Sequence, residues 1–318
     1  MLAIPNFSEG RDPRRIASIA QALNSVAGVR LLDIHSDPDH NRSVYTLAGV
    51  GDGPAGHADS PGAVKDEPRG TGLADSLTAG AARAIELLDI ATHDGSHPHV
   101  GMLDVAPIVY MDDSLRGAAC AQALVLAERL GDELGIPVFL YGVLTGWRVT
   151  RADIRRGGPW ALQNRIDAGE LAPDFGPRRL HPRAGAVLVS ARPPLIAFNV
   201  ELAPPATLET ARQIAALIRE GGPEGLPAVK AIGLTLPHRD DVAQISTNVE
   251  DYRRTNLAAL VETIARHATP VRAEVVGLPP RAAFDGFPDD LPVANRRYLE
   301  DALHGVSDTG SDPGTDTH

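Results

Sequence analysis

The order of apolar and helix-period segments predicts an α/β protein of the α+β type. It is expected to form two subdomains, each a mixed sheet with helices on one face, in split-βαβ or ferredoxin-like style. Three observations carry this. Residues 1–142 alternate strand-like and helix-like segments in a βαββαβαβ order, and residues 185–277 give a second series, ββαββαβ. The chain has 318 residues, beyond the size at which one core usually divides. Neither GxGxxG nor GxxxxGK[ST] occurs, which argues against a doubly wound nucleotide fold.

Taken in order, residues 2–6 read as a strand, and 12–26 as a helix opened by Asp12, a capping residue, and Pro13, preset for a first turn. Strands follow at 28–34 and 42–49. Leu73, Leu77, Ala81, Ala84, Ile85 and Leu88 recur at helical spacing over 73–92. A strand at 103–110, a helix at 115–134 and a strand at 136–142 complete the first series. An Arg-rich stretch then reads as irregular. Beyond it come strands at 185–191 and 194–201, a helix at 205–220, strands at 228–235 and 242–249, a helix at 256–267 and a strand at 272–277. The predicted N-terminal subdomain is 1–188 and the C-terminal one 189–303. Residues 51–72, with six Gly and three Pro, are expected to be a mobile surface insertion, and 304–318 a disordered tail.

Composition narrows the function classes. A formal charge of −11 opposes bulk affinity for nucleic acid or anionic membrane, and no apolar run approaches the length of a membrane span. The N-terminus has no basic segment followed by an apolar one, so a cytoplasmic protein is expected. Cys120 is the only cysteine, so no intramolecular disulfide forms, and its Ala/Leu-rich surroundings predict a buried, inert thiol. Any anionic ligand needs a local patch. Residues 148–192 hold nine arginines against four carboxylates, which suits carboxylate capture. The only lysines are Lys65 and Lys230, so Arg is the default cation of this chain and only the clustering is informative.

Candidate chemistry concentrates in two turns. Gly95, Pro98 and Gly101 stiffen the segment that carries His97 between a helix and an apolar strand, where an imidazole titrating near neutrality serves proton transfer. An exposed loop histidine is the plainer reading. Residues 33–43 join two strands through Asp37, Pro38, Asp39 and Asn41. Turn chemistry alone explains those four, but His35, Asn41 and Arg42, together with Asp104, also suit the polar rim of a ligand cleft. His93, His97 and His99 permit a metal reading. It is weakened by the intervening Gly95 and Pro98 and by the absence of an HExxH frame or cysteine support, so no metal is expected.

Several ordered motifs resemble glutamate formiminotransferase. They are Ile-Pro-Asn-Phe-Ser-Glu-Gly-Arg-Asp at 4–12, Asp-His-Asn-Arg-Ser-Val-Tyr-Thr at 39–46, Gly-Ser-His-Pro-His-Val-Gly-Met-Leu-Asp-Val-Ala-Pro at 95–107, Pro-Val-Phe-Leu-Tyr-Gly at 137–142 and Ala-Pro-Asp-Phe-Gly-Pro at 172–177. Leu-Ile-Ala-Phe-Asn-Val-Glu-Leu at 195–202 and Ala-Gln-Ile-Ser-Thr-Asn-Val-Glu-Asp-Tyr at 243–252 continue the match, which covers residues 2–303. The resemblance implies two α/β subdomains whose sheets face one another across a substrate tunnel, in a homodimer. It further implies transfer of the formimino group from N-formimino-L-glutamate to N5 of tetrahydrofolate, in histidine degradation and one-carbon metabolism. Tetrahydrofolate is then a co-substrate and His97 the catalytic histidine. Pro173, Asp174, Phe175, Gly176, Pro177, Arg178, Arg179, Leu180, His181 and Pro182 match the family's folate-binding loop, with Arg178 and Arg179 the candidates for the carboxylates of the folate tail. Eukaryotic members fuse the transferase to a cyclodeaminase, a portion the match does not include, so cyclisation of the product is expected elsewhere.

One departure bears on the donor. After Leu-Leu-Asp-Ile, His35 stands where better-known members carry an acidic residue, so N-formylglutamate or formiminoglycine is an alternative donor for the same acceptor. Two other classes stay open, a metal-dependent amidohydrolase built on His93, His97, His99 or the His35–His40 turn, and a non-catalytic folate-binding protein.

Overall fold

The computed structural model describes residues 1–49, 72–95 and 97–305. Most of the expected insertion at 51–72 and of the expected tail at 304–318 therefore lies outside the described residues, as does Ser96.

The first sheet is built from β1 (Leu2–Ala3), β2 (Asn6–Phe7), β3 (Val29–Asp37), β4 (Arg42–Gly49), β5 (Leu103–Val109), β6 (Val138–Leu140) and β7 (Val187–Arg192). Its order is β1-β4-β2-β5-β7-β6, with β3 on the outer side of β4. The strand expected at 2–6 is divided in two, because Pro5 has no N–H for the ladder and the register shifts beside Asn6. β5 pairs parallel with β7, and β7 with β6, while the hairpin side is antiparallel. β5 is buried along its whole length and forms the floor of this half.

Helices α1 (Pro13–Leu23), α2 (Gly72–Leu87) and α3 (Arg116–Asp132) pack on one face of that sheet. Asp12 caps α1, accepting from the backbone N–H groups of Arg14 and Arg15, with Pro13 in the first turn. Cys120 on α3 is half-buried against this core rather than fully enclosed. The Arg-rich stretch is not irregular throughout. It contains α4 (Arg151–Arg155), opened by a Thr150–Asp153 capping box, and α5 (Gly158–Asp167). Ile154, Leu162 and Ile166 from these helices meet Val105, Phe139 and Leu188 on the opposite face of the sheet. Helical cover on the first sheet is thus not confined to one face. Along β7, Val187, Val189 and Ala191 point to α1–α3 while Leu188 points to α4 and α5, the period of two that a strand imposes.

The second sheet has the order β12-β11-β8-β10-β9 and comprises β8 (Ile196–Leu202), β9 (Val229–Leu236), β10 (Val242–Val249), β11 (Pro270–Val276) and β12 (Val293–Ala294). Helices α6 (Leu208–Ile218) and α7 (Leu257–Ala265) cover one face, burying Phe198, Val200, Ile245, Ala273 and Val275. The alternate residues Asn199, Glu201, Gln244, Ser246 and Glu274 turn the other way, toward the first sheet. The change of sheet falls between Arg192 and Ile196. A final segment returns to the first half. Arg297 reaches Asp33 of β3 at 2.5 Å, and α8 (Leu299–His304) places Leu299 against Leu2, Ala48 and Val109. No helix among the described residues is long and apolar enough to cross a membrane.

Candidate active site

The part of the first sheet that α4 and α5 leave open and the polar face of the second sheet enclose a cleft of about 980 Å³, counted with its open mouth. One wall carries Asn6, His35, Asp37, His40, Arg42, Val44 and Thr46, and the other Ala197, Asn199, Ser246, Asn248 and Val276. Along β4, residues 42, 44 and 46 line the cleft and their neighbours do not, because a strand sends alternate side chains to one face. Tyr141, Arg151, Arg155 and Arg192 close one end. With Arg42 they put four guanidinium groups on a single cleft in an acidic protein. That end of the cleft is suited to anions.

The His97 turn is held against both neighbouring segments. A Cβ at Gly95 would lie 2.4 Å from the carbonyl oxygen of His40, and one at Gly101 would lie 1.8 Å from that of Ala186, so only glycine permits either approach. Asp104 at the start of β5 accepts from the Val100 N–H at 2.9 Å and pairs with Arg155 through its other oxygen. This carboxylate thereby fixes the end of the turn and one of the cleft's arginines together.

His97 is half-buried on the cleft. Its Nδ1 lies 2.8 Å from the carbonyl oxygen of Pro98, which assigns the proton to Nδ1 and leaves the lone pair on Nε2. Nη1 of Arg42 lies 2.7 Å from Nε2 and 3.0 Å from Nδ1, against the ring, and Nη2 of Arg42 donates to Oδ1 of Asn6. The imidazole pKa is held well below its usual value by burial first, then by the charges of Arg42, Arg155 and His40. His97 is therefore a neutral imidazole with one basic nitrogen at neutral pH. Burial, with Arg155 nearby, also pushes Arg42 down to about 9, and burial lowers Arg192 to about 10.

The turn between β3 and β4 supplies the other histidines. Oδ1 of Asp37 accepts the backbone N–H groups of Asp39 at 2.8 Å and His40 at 2.9 Å, while its Oδ2 lies 3.2 Å from Nδ1 of His40. The ring of His40 stands 5.8 Å from that of His97, centroid to centroid. His35 lies between Asn295, 3.5 Å from its Nδ1, and Glu274, 3.9 Å from its Nε2. Burial lowers the pKa of both His35 and His40 and raises that of Glu274. Among the described residues His40 Nε2, Thr46 Oγ1, Tyr141 Oη, Arg42 Nε, Arg155 Nε and Arg192 Nε, all on cleft-lining side chains, lack a hydrogen-bond partner. Buried polar atoms are rarely left so within a protein, and their concentration here marks a site for a polar ligand.

Of the residues singled out from sequence, His35, Arg42 and His97 meet in this cleft. Asn41 and Asp104 stand behind it. Asn41, with φ of 47°, accepts from the Gly10 N–H at 2.9 Å and ties the turn to the 6–10 segment. The segment from Pro173 to Pro182 does not line the cleft. Asp174 accepts from the Leu140 N–H at 2.7 Å, Phe175 pairs with Val138, Leu180 donates to Gln163 of α5, and His181 pairs with Gly185. Arg178 and Arg179 of that segment are exposed. The arginine cluster divides likewise, since Arg151, Arg155 and Arg192 line the cleft while Arg165 and Arg183 bond to backbone carbonyls elsewhere. His93, His97 and His99 do not converge as metal ligands. The rings of His93 and His99 meet edge to face at 4.5 Å, and burial and His99 push His93 down to about 4. Among the described residues no three His, Cys, Asp or Glu side chains gather as a metal-binding set.

Sequence reasoning did not reach Asn6, Tyr141, Asn199, Ser246 and Asn248 as lining residues, and it offered His40 only as part of a metal-binding turn. The polar positions of β8 and β10 alternate with buried ones, which was a visible signal, but a strand facing solvent has the same pattern.

Comparison with known proteins places these features in context. Residues 1–192 match the model of the formiminotransferase domain, N-terminal subdomain, and residues 197–283 that of the formiminotransferase domain. The chain is 37% identical over 286 residues to the formimidoyltransferase-cyclodeaminase of Sus scrofa, covering 86% of this chain and 48% of that protein. It is 36% identical over 287 residues to the glutamate formimidoyltransferase of Streptococcus pyogenes serotype M1, covering 88% and 89%. The glutamate formimidoyltransferase of Thermoplasma acidophilum is 36% identical over 290 residues, with 88% of each chain covered. The chain thus spans about half the length of the fused relatives and nearly nine-tenths of the two named for the transferase alone.

Proposed function

The chain belongs to the formiminotransferase family, and from that premise we propose that it is a glutamate formimidoyltransferase. It moves the formimino group of N-formimino-L-glutamate to N5 of tetrahydrofolate, its co-substrate. The observation that carries this reading is the neutral His97 on a cleft that holds four arginines. Both substrates carry carboxylates, and an anion-attracting cleft with one basic nitrogen fits their joint capture.

N5 attacks the amidine carbon and a C–N bond forms, the attacking nitrogen losing its proton. The bond to the glutamate nitrogen then breaks, the electron pair stays on that nitrogen, and it gains a proton. His97 accepts the first proton on Nε2, once the substrate has displaced Arg42 from that atom. Arg42, freed toward the cleft, binds negative charge beside the reacting centre. Orientation of two reactants in one cleft removes several kcal/mol from such a barrier, about 7–11 in the best cases. The Pro173–Pro182 segment serves the folate through Arg178 and Arg179, and the enzyme works as a cytoplasmic homodimer.

Purified protein incubated with tetrahydrofolate and either formiminoglutamate or N-formylglutamate tests the reading, with the modified folate followed by its absorbance. Product from formiminoglutamate alone is the expected result. Product from N-formylglutamate alone would move the donor to the formyl class, and none from either would remove the activity.

A further inference from the structure

Two protons move in this reaction, one away from the attacking nitrogen and one onto the departing nitrogen. Of the three histidines that line the cleft, His40 and His97 stand 5.8 Å apart, centroid to centroid, and different charges act on them. The charges acting on His97 belong to Arg42, Arg155 and His40, all of which oppose a second proton there. His40 is surrounded differently. Asp37, Asp39, Arg42 and His35 of its own hairpin interact with it, as do Glu274 of β11 from the second sheet and His97 across the cleft. Three of these six groups are carboxylates.

The geometry at His40 is that of an oriented imidazole. Asp37 is itself fixed by two backbone N–H groups and lies 3.2 Å from Nδ1, so Nδ1 keeps its hydrogen and Nε2 is the nitrogen that gains or loses a proton. That Nε2 has no hydrogen-bond partner among the described residues, although the side chain is buried and lines the cleft. The free Nε2 of His40 and the Nε2 of His97 thus offer two proton-carrying positions on one cleft.

We infer that His40, oriented by Asp37, is a second catalytic histidine that delivers the proton gained by the departing nitrogen, while His97 takes the proton lost by the attacking one. The inference rests on the formimino transfer proposed above. The steps balance. The N5–C bond forms as the N5 proton passes to His97 Nε2. The C–N bond to the donor amine breaks, and its electron pair takes from His40 Nε2 a proton that this nitrogen has first gained from solvent at the open mouth of the cleft. His97 then holds a proton and His40 lacks one, and exchange with solvent at the open mouth of the cleft restores both. Burial lowers both rings, the carboxylates counter it only in part at His40 and the guanidinium groups add to it at His97, so the inference requires that His40 protonate first on acidification.

Histidine-selective NMR titration of the full chain, assigned with His40→Gln and His97→Gln, reads that order without any turnover. His40 is expected to take up its proton at the higher pH, and Asp37→Asn to lower His40 more than His97. In the transfer assay His40→Gln should lose about 100-fold in kcat with KM for folate within threefold of wild type, and added imidazole should partly restore His40→Ala. Protonation of His97 before His40, or transfer by His40→Gln within threefold of wild type, overturns the inference. Should wild type transfer no formimino group, the reading of the preceding section falls, and the titration order still decides whether His40 is the proton carrier of the cleft.

Discussion

Nη1 of Arg42 sits 2.7 Å from Nε2 and 3.0 Å from Nδ1 of His97, so a guanidinium group lies directly against the imidazole. A cation there disfavours protonation and keeps the ring ready to accept a proton near neutral pH. Arg42 reaches this point because it opens β4 on the cleft face and is tied through its other nitrogen to Asn6 of β2.

His97→Ala should fold normally, since the residue lines the cleft and the ring's hydrogen bonds fall within the turn and to Arg42. Turnover should drop by about 10²–10⁴-fold with KM for folate little changed. A loss smaller than tenfold in steady-state kinetics would exclude the ring from the chemistry.

Arg42→Gln should move the pH profile. The Arg42 charge lowers the His97 pKa, so its removal raises that pKa, and the limb on which kcat/KM increases with pH must shift to higher pH. The position of the limb is the quantity to measure, because its height also reflects lost substrate binding. A limb that stayed in place would separate Arg42 from the titrating group.

Asp104→Ala leaves the Arg155 guanidinium buried without its carboxylate and the Val100 N–H without its acceptor. Removing one member of a buried pair costs about 3–5 kcal/mol. Urea unfolding should show a lower midpoint with an unchanged slope, and a midpoint within error of wild type would contradict the pairing.

Raising ionic strength from about 0.01 to 0.15 M shortens the Debye length from roughly 30 to 8 Å, so KM for folate should climb while kcat holds. Arg178→Ala and Arg179→Ala should raise KM more than they lower kcat, because tail carboxylates are held alike in ground and transition states. Unaltered KM in both variants would limit anion capture to the arginines lining the cleft.

The fold was legible where local pattern and tertiary demand agree. Asp12-Pro13 opened a helix as expected, and the buried run 103–109 formed a central strand. The helices α4 and α5 escaped notice because one is five residues long, the Gly157–Gly158 pair separates it from the next, and arginines conceal the apolar positions Ile154, Leu162 and Ile166. His97 was legible through the glycines and proline that shape its turn. The second wall was not, because no local signal says whether the polar face of a sheet meets solvent or another sheet.

In the second sheet Ser246 of β10 pairs with Asn199 of β8, which pairs in turn with Glu274 of β11, so three polar groups stand in one row across three strands. A strand has only two faces, and displacing β8 by one residue would exchange Asn199 for Phe198. The inner strand therefore works as a ruler. Its graduations are Phe198 and Val200, which the core of this half grips without regard to the reaction. Which functional groups a substrate meets on this wall is thus settled by the spacing of hydrophobic anchors that it never touches.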